Sequence, residues 1–258
     1  MQLISRNTLA GPSRLLARPS LLLPAYRSHS SASASAPRPS HAYIPPIPSA
    51  ADTQVKPAED TRATATSPTN LSPEEKELIA RIVRVDQAGE LGANWIYRGQ
   101  KWGSAMRGDS KTVKQVEEMW ESEKHHLATM RLVQTQHSVR PTILYPVWQG
   151  MAFGLGAVTA LMGREAAMAC TEAVETVIGE HYDDQIRSLK PLLETKSGVA
   201  PHPSLPLLKG VLEEFRDDEL EHLDTAVEEG AQKAPGHSLL SAIIGAGCRV
   251  AIKVSERV

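Results

Sequence analysis

Cysteine is scarce in this chain of 258 residues. Its two cysteines, Cys170 and Cys248, are too few for a disulfide framework or a cysteine-rich zinc or iron–sulfur site. A reduced compartment is the simplest interpretation. Any metal site must therefore use histidine and carboxylate ligands, which suit iron or manganese better than copper(I). Because the formal net charge is -2, we expect no nucleic-acid partner.

Acidic residues are absent before Asp52, whereas arginines recur from Arg6 to Arg38 among many serines, alanines and prolines. This composition is typical of a mitochondrial transit peptide, which we predict to be disordered over residues 1–50. The alternative is a basic tail with no targeting role. Residues 51–71 are rich in proline, threonine and alanine and are predicted to form a linker. The folded domain is then residues 72–258.

Two Glu-x-x-His pairs are present, Glu123 with His126 and Glu219 with His222. Positions i and i+3 of an α-helix lie on one face, so the carboxylate and imidazole of each pair can bind one ion. Dinuclear carboxylate sites of four-helix bundles combine two such pairs with one Glu from each of two further helices. The spacing therefore predicts an all-α fold with four core helices around a metal site.

Four amphipathic patterns of suitable length follow the linker. Ser72 to Glu75 predicts a capping box with proline at the first helical position. Prolines 191, 201, 203 and 206 are expected to exclude helix between the third and fourth patterns. The predicted core helices are residues 73 to about 106, 109 or 110 to about 137, about 165 to 189, and about 207 to 229.

Glu90 is the candidate ligand of the first helix. Asp86 precedes it by one turn and Tyr97 follows it by two, so the three form a polar stripe that is either solvated surface or the inner face of a site. Gly89 and Gly92 flank Glu90 and lower helix propensity, which indicates close packing or ligand access.

The third helix offers two candidate ligands, Glu172 and Glu175, and the spacing does not choose between them. In the second helix, His125 lies about 100° around the helix from His126. We therefore expect His125 to be solvated rather than to face the site.

Charged residues are absent from Pro141 to Gly163, a stretch long enough to span a bilayer. A single crossing there would separate Glu123 and His126 from every later ligand. Together with the prolines and glycines of the segment, this favours a segment that lies in the membrane interface or re-enters it. A buried core hairpin is the alternative. The apolar stretch from Ser238 to Val258 is expected either to pack on the bundle or to enter a membrane beside it.

Several blocks of sequence occur together in one order. They are residues 84–90, the Glu123–His126 pair, residues 140–142, residues 169–171 with 173–175, residues 215–222, and residues 247–252 with 255–257. Together they resemble the 5-demethoxyubiquinone hydroxylase family of ubiquinone biosynthesis, over Leu71 to Val258. Gln87 stands where many relatives have His, at a position that is not a ligand.

The resemblance implies a ferritin-like four-helix bundle with added apolar, membrane-associating helices and two iron ions held by four Glu and two His. It also chooses Glu175 over Glu172. The ligands that it implies are Glu90, Glu123, His126, Glu175, Glu219 and His222.

The activity that the resemblance implies is hydroxylation of the ring of 5-demethoxyubiquinone by O2. The enzyme would lie peripherally on the matrix side of the mitochondrial inner membrane. Its implied partners are a polyprenyl benzoquinone, a ubiquinone-biosynthesis complex with a lipid-binding accessory protein, and further copies of itself. The two apolar segments would flank a channel for the quinone.

A hydroxylase needs two electrons from outside, and the chain has no dinucleotide fingerprint. The resemblance implies NADH as the donor, with Arg81 and Arg257 as candidate contacts; a plain surface role is the alternative for each. Asp218, His181 and Tyr182 are candidate partners of the ligating imidazoles, or plain helical surface.

Two other functions would use the same ligands. A di-iron quinol oxidase that reduces O2 to water shares the membrane and the quinone. A non-catalytic scaffold of a quinone-biosynthesis complex is the alternative that is not an enzyme. An iron store would not need the long uncharged segment.

Overall fold

The computed structural model describes residues 37–46, 62–195 and 198–258. Within these residues the chain is built from α-helices joined by short connections, with single 3-10 turns at Pro39–Ala42 and Ala231–Lys233. The α-helices are α1 (Arg62–Ala65), α2 (Pro73–Met106), α3 (Ser110–Gln136), α4 (Tyr145–Met162), α5 (Arg164–Leu193), α6 (Ser204–Glu228) and α7 (His237–Ser255).

Helices α2, α3, α5 and α6 form the core bundle. Helix α2 packs along α3 and α5 packs along α6, and the two pairs face each other. One end of the bundle is filled by side chains such as Val83, Met130 and Phe215, and the other by Tyr97 and Met168, all almost inaccessible to solvent. The predicted ferritin-like four-helix bundle is confirmed.

The predicted helix starts are confirmed at α2 and α3. Ser72 Oγ accepts a hydrogen bond from Glu75 N at 3.2 Å, and the Glu75 carboxylate accepts one from Ser72 N at 2.8 Å. At α3, Asp109 accepts a hydrogen bond from Thr112 N at 3.0 Å. These side chains satisfy backbone N–H groups that have no partner within the helix.

Two prolines do not end helices as the sequence predicted. Helix α5 continues through Pro191 to Leu193, held by the buried Leu189 and Leu192 on either side of that proline. Helix α6 begins at Ser204, which places Pro206 in its first turn. The prediction was wrong because the first-turn N–H groups have no helical acceptor, so proline costs little there. Near the end of α5, proline removes only one hydrogen bond.

The uncharged segment forms α4, which packs against the outside of α2. The two backbones approach closely, since a Cβ on Gly156 would lie 2.0 Å from Ile96 O and a Cβ on Gly99 would lie 2.2 Å from Phe153 O. The opposite face is exposed, with Val147 and Val158 about half accessible. Helix α4 is therefore a half-buried helix and not a buried hairpin.

Helix α7 packs on α5 and touches α2. Its inner side buries Ile244, whereas Leu239, Ile243 and Val250 are more than 60% exposed. Among the described helices, α7 is the one long and apolar enough to cross a bilayer by length and composition. Both apolar segments thus leave an unpartnered apolar face on one region of the bundle.

Part of the amino-terminal region also packs on the bundle. Residues 37–46 lie against α6 and the stretch from Arg62 onward lies against α3 and α6. The sequence predicted disorder through residue 50 and a linker to residue 71. Residues 1–36 and 47–61 lie outside the described residues, so the transit peptide itself stays a prediction.

The close contact between α2 and α4 can be tested with a matched pair of glycines. Gly156→Ala forces a methyl group into the α2 backbone and should lower the free energy of unfolding by about 1–3 kcal/mol. Gly154→Ala is the control, because a Cβ there meets nothing within 4 Å. That change should be neutral or stabilise by up to about 1 kcal/mol. Equal thermal unfolding midpoints for the two variants would contradict the packing described.

Candidate metal centre

The six residues that the resemblance implied as ligands converge at the middle of the bundle. All are buried, and the side chains of Glu123 and His126 have no accessible surface. Helix α2 supplies Glu90, α3 supplies Glu123 and His126, α5 supplies Glu175, and α6 supplies Glu219 and His222.

Their donor atoms form two adjoining groups. In each group, one atom from every residue lies within 4.8 Å of the others. Glu123 and Glu219 belong to both groups, so the arrangement has room for two neighbouring cations with two shared carboxylates. The first group is Glu90, Glu123, His126 and Glu219; the second is Glu123, Glu175, Glu219 and His222.

Both imidazoles direct Nδ1 toward the carboxylates. His126 Nδ1 lies 3.2 Å from Glu219 Oε1 and 3.5 Å from Glu90 Oε2. His222 Nδ1 lies 3.1 Å from an oxygen of Glu123 and 3.1 Å from one of Glu219. The Glu-x-x-His spacing therefore does place carboxylate and imidazole on one face, pointing inward.

The outer nitrogens of these imidazoles have partners of their own. His126 Nε2 lies 2.9 Å from Asp218 Oδ2, and His222 Nε2 lies 2.8 Å from Ser122 Oγ. A hydrogen bond donated from Nε2 leaves the Nδ1 lone pair free for a metal. Asp218 was a sequence candidate, whereas Ser122 was missed because no spacing rule shows which helix faces His222.

Two tyrosines hold the single carboxylates of α2 and α5. Tyr97 of α2 donates to Glu175 Oε1 of α5 at 3.0 Å, and Tyr182 of α5 donates to Glu90 Oε1 of α2. Each tyrosine lies seven residues after a glutamate of its own helix but bonds to the glutamate of the other helix. The sequence predicts Tyr182 as a partner of a ligating imidazole, but it bonds to a carboxylate instead. Tyr97 was missed, although its position on the polar stripe was an available signal.

The other sequence candidates lie outside the cluster. His181 contacts Gln185 at 2.9 Å, and Gln185 donates to Asp86 Oδ1 at 2.6 Å. Arg81 and Arg257 are exposed. Glu172, the alternative to Glu175, pairs with His237 at 2.5 Å.

His125 is also not where the sequence predicted. It is partly buried, and its Nε2 lies 2.8 Å from Ser40 Oγ, so it is not simply solvated. The amino-terminal segment covers it, which the sequence of α3 alone does not reveal.

Burial and mutual repulsion control protonation in the metal-free cluster. Burial and the charge of Glu219 raise the pKa of Glu123 to about 8. Burial also raises the pKa of Glu219, but the nearby imidazoles of His126 and His222 outweigh it and lower that pKa to about 2. For His222, burial lowers the pKa, but the nearby carboxylates of Glu123 and Glu219 outweigh it and raise the pKa to about 11. The cluster without metal therefore retains protons at neutral pH.

The residues fit a pair of divalent cations. Glu90 Oε2, both carboxylate oxygens of Glu123 and His126 Nδ1 are buried without a hydrogen bond from the described residues. Buried polar atoms of this kind need a partner. Four carboxylates carry the charge that balances two divalent cations, and a set of Glu and His ligands suits iron.

An apolar pocket of about 570 Å³ leads to this cluster. It lies among α2, α4, α5 and α7, and its lining includes Glu90 and Tyr182 at the cluster. Gly89 and Gly92 also line it, and a Cβ on Gly92 would meet nothing within 4 Å. Gly92 therefore leaves open space, whereas a Cβ on Gly89 would lie 3.9 Å from Ile178 Cδ1, an ordinary contact. Neither position requires glycine for close packing, which supports ligand access.

A four-helix bundle with two Glu-x-x-His arms and two further glutamates defines the class of dinuclear carboxylate proteins. Residues 77–255 match the family model described as ubiquinone biosynthesis protein COQ7, and the chain belongs to this family. This confirms the family that the sequence motifs indicated.

Several curated relatives are similar over most of their length. The chain is 45% identical to the mitochondrial 5-demethoxyubiquinone hydroxylase of Saccharomyces cerevisiae over 193 residues, which are 73% of this chain and 82% of the relative. It is 46% identical to the human mitochondrial NADPH-dependent 3-demethoxyubiquinone 3-hydroxylase over 179 residues, or 69% and 77%. Identity to the 3-demethoxyubiquinol 3-hydroxylase of Rhodospirillum rubrum is 42% over 214 residues, or 83% and 94%.

Stabilisation by metal should increase with pH. In the metal-free protein the pKa of Glu123 is about 8, against an ordinary value of 4.5. Its protonation therefore stabilises the fold fully below pH 4.5, and this contribution is lost as pH rises through 8. A cation replaces the proton, so ferrous iron should raise the melting temperature by about 5 °C more at pH 8 than at pH 6. Anaerobic calorimetry would measure this, and an equal increase at both pH values would contradict it.

Proposed function

We propose that this protein is a di-iron monooxygenase that uses O2 to hydroxylate the ring of 5-demethoxyubiquinone, whose reduced form is a 2-polyprenyl-3-methyl-6-methoxy-1,4-benzoquinol. The observation that carries the proposal is the buried cluster of four Glu and two His at the inner end of an apolar pocket. The names of the relatives support the same reaction. The protein would then act in ubiquinone biosynthesis.

The reaction has a defined balance. A ring C–H becomes C–OH with one atom of O2, and the other atom leaves as water after uptake of two electrons and two protons. Two ferrous ions held by the cluster would supply the reduced metal that activates O2. A reduced nicotinamide is the proposed electron donor. The sequence favoured NADH, whereas the human relative is named NADPH-dependent; both carry the same hydride-donating ring.

The side chains around the cluster position it and exclude water. Tyr97 and Tyr182 fix the carboxylates of Glu175 and Glu90. Burial raises the pKa of Asp86 well above its ordinary value, so this carboxyl group at the pocket wall binds a proton more tightly than an exposed aspartate does. The apolar walls admit a quinone ring and keep bulk water from the reacting carbon.

An anionic donor can approach the pocket at one end. Arg84 Nη1 donates to Glu256 O at 3.0 Å, which holds the end of the chain against α2. Arg81 lies one turn before Arg84, and Arg257 directly follows Glu256, so two exposed cations flank this contact. We assign both arginines to the phosphates of the donor.

The exposed apolar faces suit a substrate that resides in a bilayer. Helices α4 and α7 line the pocket and present apolar side chains outward, so a polyprenyl tail can pass between them into lipid. We place the protein peripherally on the matrix side of the mitochondrial inner membrane. The names of the relatives support the mitochondrial compartment. The same faces would contact a lipid-binding accessory protein of a ubiquinone-biosynthesis complex, or another copy of the chain.

Charging the exposed face of α4 should weaken membrane association. Val147 and Val158 lie three turns apart on that face, and neither lines the pocket. The double variant Val147→Asp/Val158→Asp should lose most of its flotation with liposomes. Leu132→Asp, an exposed apolar position on α3, is the matched control and should float normally. Unchanged flotation of the double variant would rule out this membrane contact.

The Glu175→Gln variant distinguishes an enzyme from a non-catalytic scaffold. In cells that depend on this protein, the variant should accumulate the demethoxy precursor, with activity lowered by about 100-fold or more because a carboxylate of the cluster is lost. Glu172→Gln, one turn away and paired with His237, is the matched control and should support normal quinone synthesis. Normal ubiquinone levels with Glu175→Gln would favour the scaffold.

A further inference from the structure

The carboxylate of Glu214 on α6 is almost fully buried, with 6% of its side chain exposed. Within the described residues, its hydrogen bonds come from the amino-terminal segment. Arg38 Nε donates at 2.5 Å, and the backbone N and Oγ of Ser40 donate at 2.8 and 2.6 Å. Loss of this segment would remove these three hydrogen bonds from a carboxylate on the outer side of α6.

The same segment is connected to the metal cluster through one intervening residue, Asp218. Arg38 Nη2 pairs with Asp218 Oδ2, and that oxygen also lies 2.9 Å from His126 Nε2. His126 Nδ1 in turn faces the carboxylates of the cluster. A continuous chain of polar contacts therefore runs from Arg38 through Asp218 to an imidazole of the site.

The segment also packs closely against helix α6. A Cβ on Gly210 would lie 3.1 and 3.2 Å from the ring carbons of Pro39. On the neighbouring helix α3, His125 Nε2 contacts Ser40 Oγ, and Tyr43 OH donates to Gln136. The segment thus bridges α3 and α6, the two helices that carry the Glu-x-x-His pairs.

We propose that residues 37–46, the N-terminal latch, belong to the mature enzyme, and that Arg38 is a positioning residue that holds Asp218 against His126. The latch thereby sets the orientation of His126 toward the metal. This inference rests on the proposed metal function of the cluster. It also requires that any transit peptide end before Arg38, and not at residue 50 as the composition predicted.

Ferrous-iron binding by the purified full chain, with iron alone as the probe, tests the role of Arg38. Arg38→Ala should weaken binding by about 10-fold, since partners of a ligating imidazole change metal affinity by about this amount or more. Arg38→Lys should restore part of the loss. Arg187→Ala removes another arginine with a surface ion pair, far along α5, and should bind iron normally.

A double-variant cycle shows whether Arg38 acts through Asp218. In an Asp218→Asn background, Arg38→Ala should cause no further loss of iron affinity. Gly210→Leu, which displaces Pro39 without changing a polar group, should reproduce the effect of Arg38→Ala. Wild-type affinity in Arg38→Ala, or independent effects of the two substitutions, would overturn the proposal. Failure of the wild-type chain to bind iron would instead overturn the proposed function.

The amino terminus of the protein isolated from mitochondria tests the other half of the proposal. Mass spectrometry should find a mature chain that begins at or before Arg38. A mature chain that begins after Arg38 would lack the positioning residue and would overturn the inference.

Discussion

Four carboxylates buried side by side are the constraint on which this structure depends. Like charges at such distances cannot all be ionised in a protein interior unless cations or protons compensate them. In the metal-free chain, the two imidazoles hold Glu219 ionised while the pKa of Glu123 rises to about 8. Two divalent cations would remove the need for those protons. The folded bundle therefore contains a binding site whose buried carboxylate charge needs protons or cations to balance it.

The way the helices hold this cluster gives the site two different sides. On one side, α3 and α6 carry the Glu-x-x-His pairs, and Asp218 and Ser122 fix the outer imidazole nitrogens. On the other, Tyr97 and Tyr182 cross between α2 and α5 to hold the single glutamates. The apolar pocket opens on the second side, next to Glu90. The pocket therefore meets the centre on one face, and the residues that position the imidazoles lie on the opposite face.

Much of the core was predictable because it depends on local patterns. The capping box at Ser72 and the Glu-x-x-His spacing operate within one helix, so sequence shows them directly. The choice of Glu175 over Glu172 needed the family resemblance, because both lie on inner faces of α5 and only the partner helices distinguish them. Glu172 turns out to meet His237 of α7.

What sequence did not reveal depends on contacts between distant segments. Ser122 acts on an imidazole of another helix, and residues 37–46 have the composition of a targeting peptide even though they pack on α6. The sequence predicts that Pro191 and Pro206 break helices, but the cost of a proline depends on its position within a helix. For Ser122 and residues 37–46 the deciding factor is a neighbour that lies far away in the chain, whereas for the two prolines it is the position within the helix.

Transfer of an oxygen atom to a quinone ring is the reaction that we propose for this centre. Incubation of the iron-loaded protein with a demethoxyquinone, a reduced nicotinamide and ¹⁸O2 is the direct test. We expect a hydroxylated quinone that carries one ¹⁸O atom on the ring. Consumption of ¹⁸O2 with labelled water as the only product would contradict this reaction.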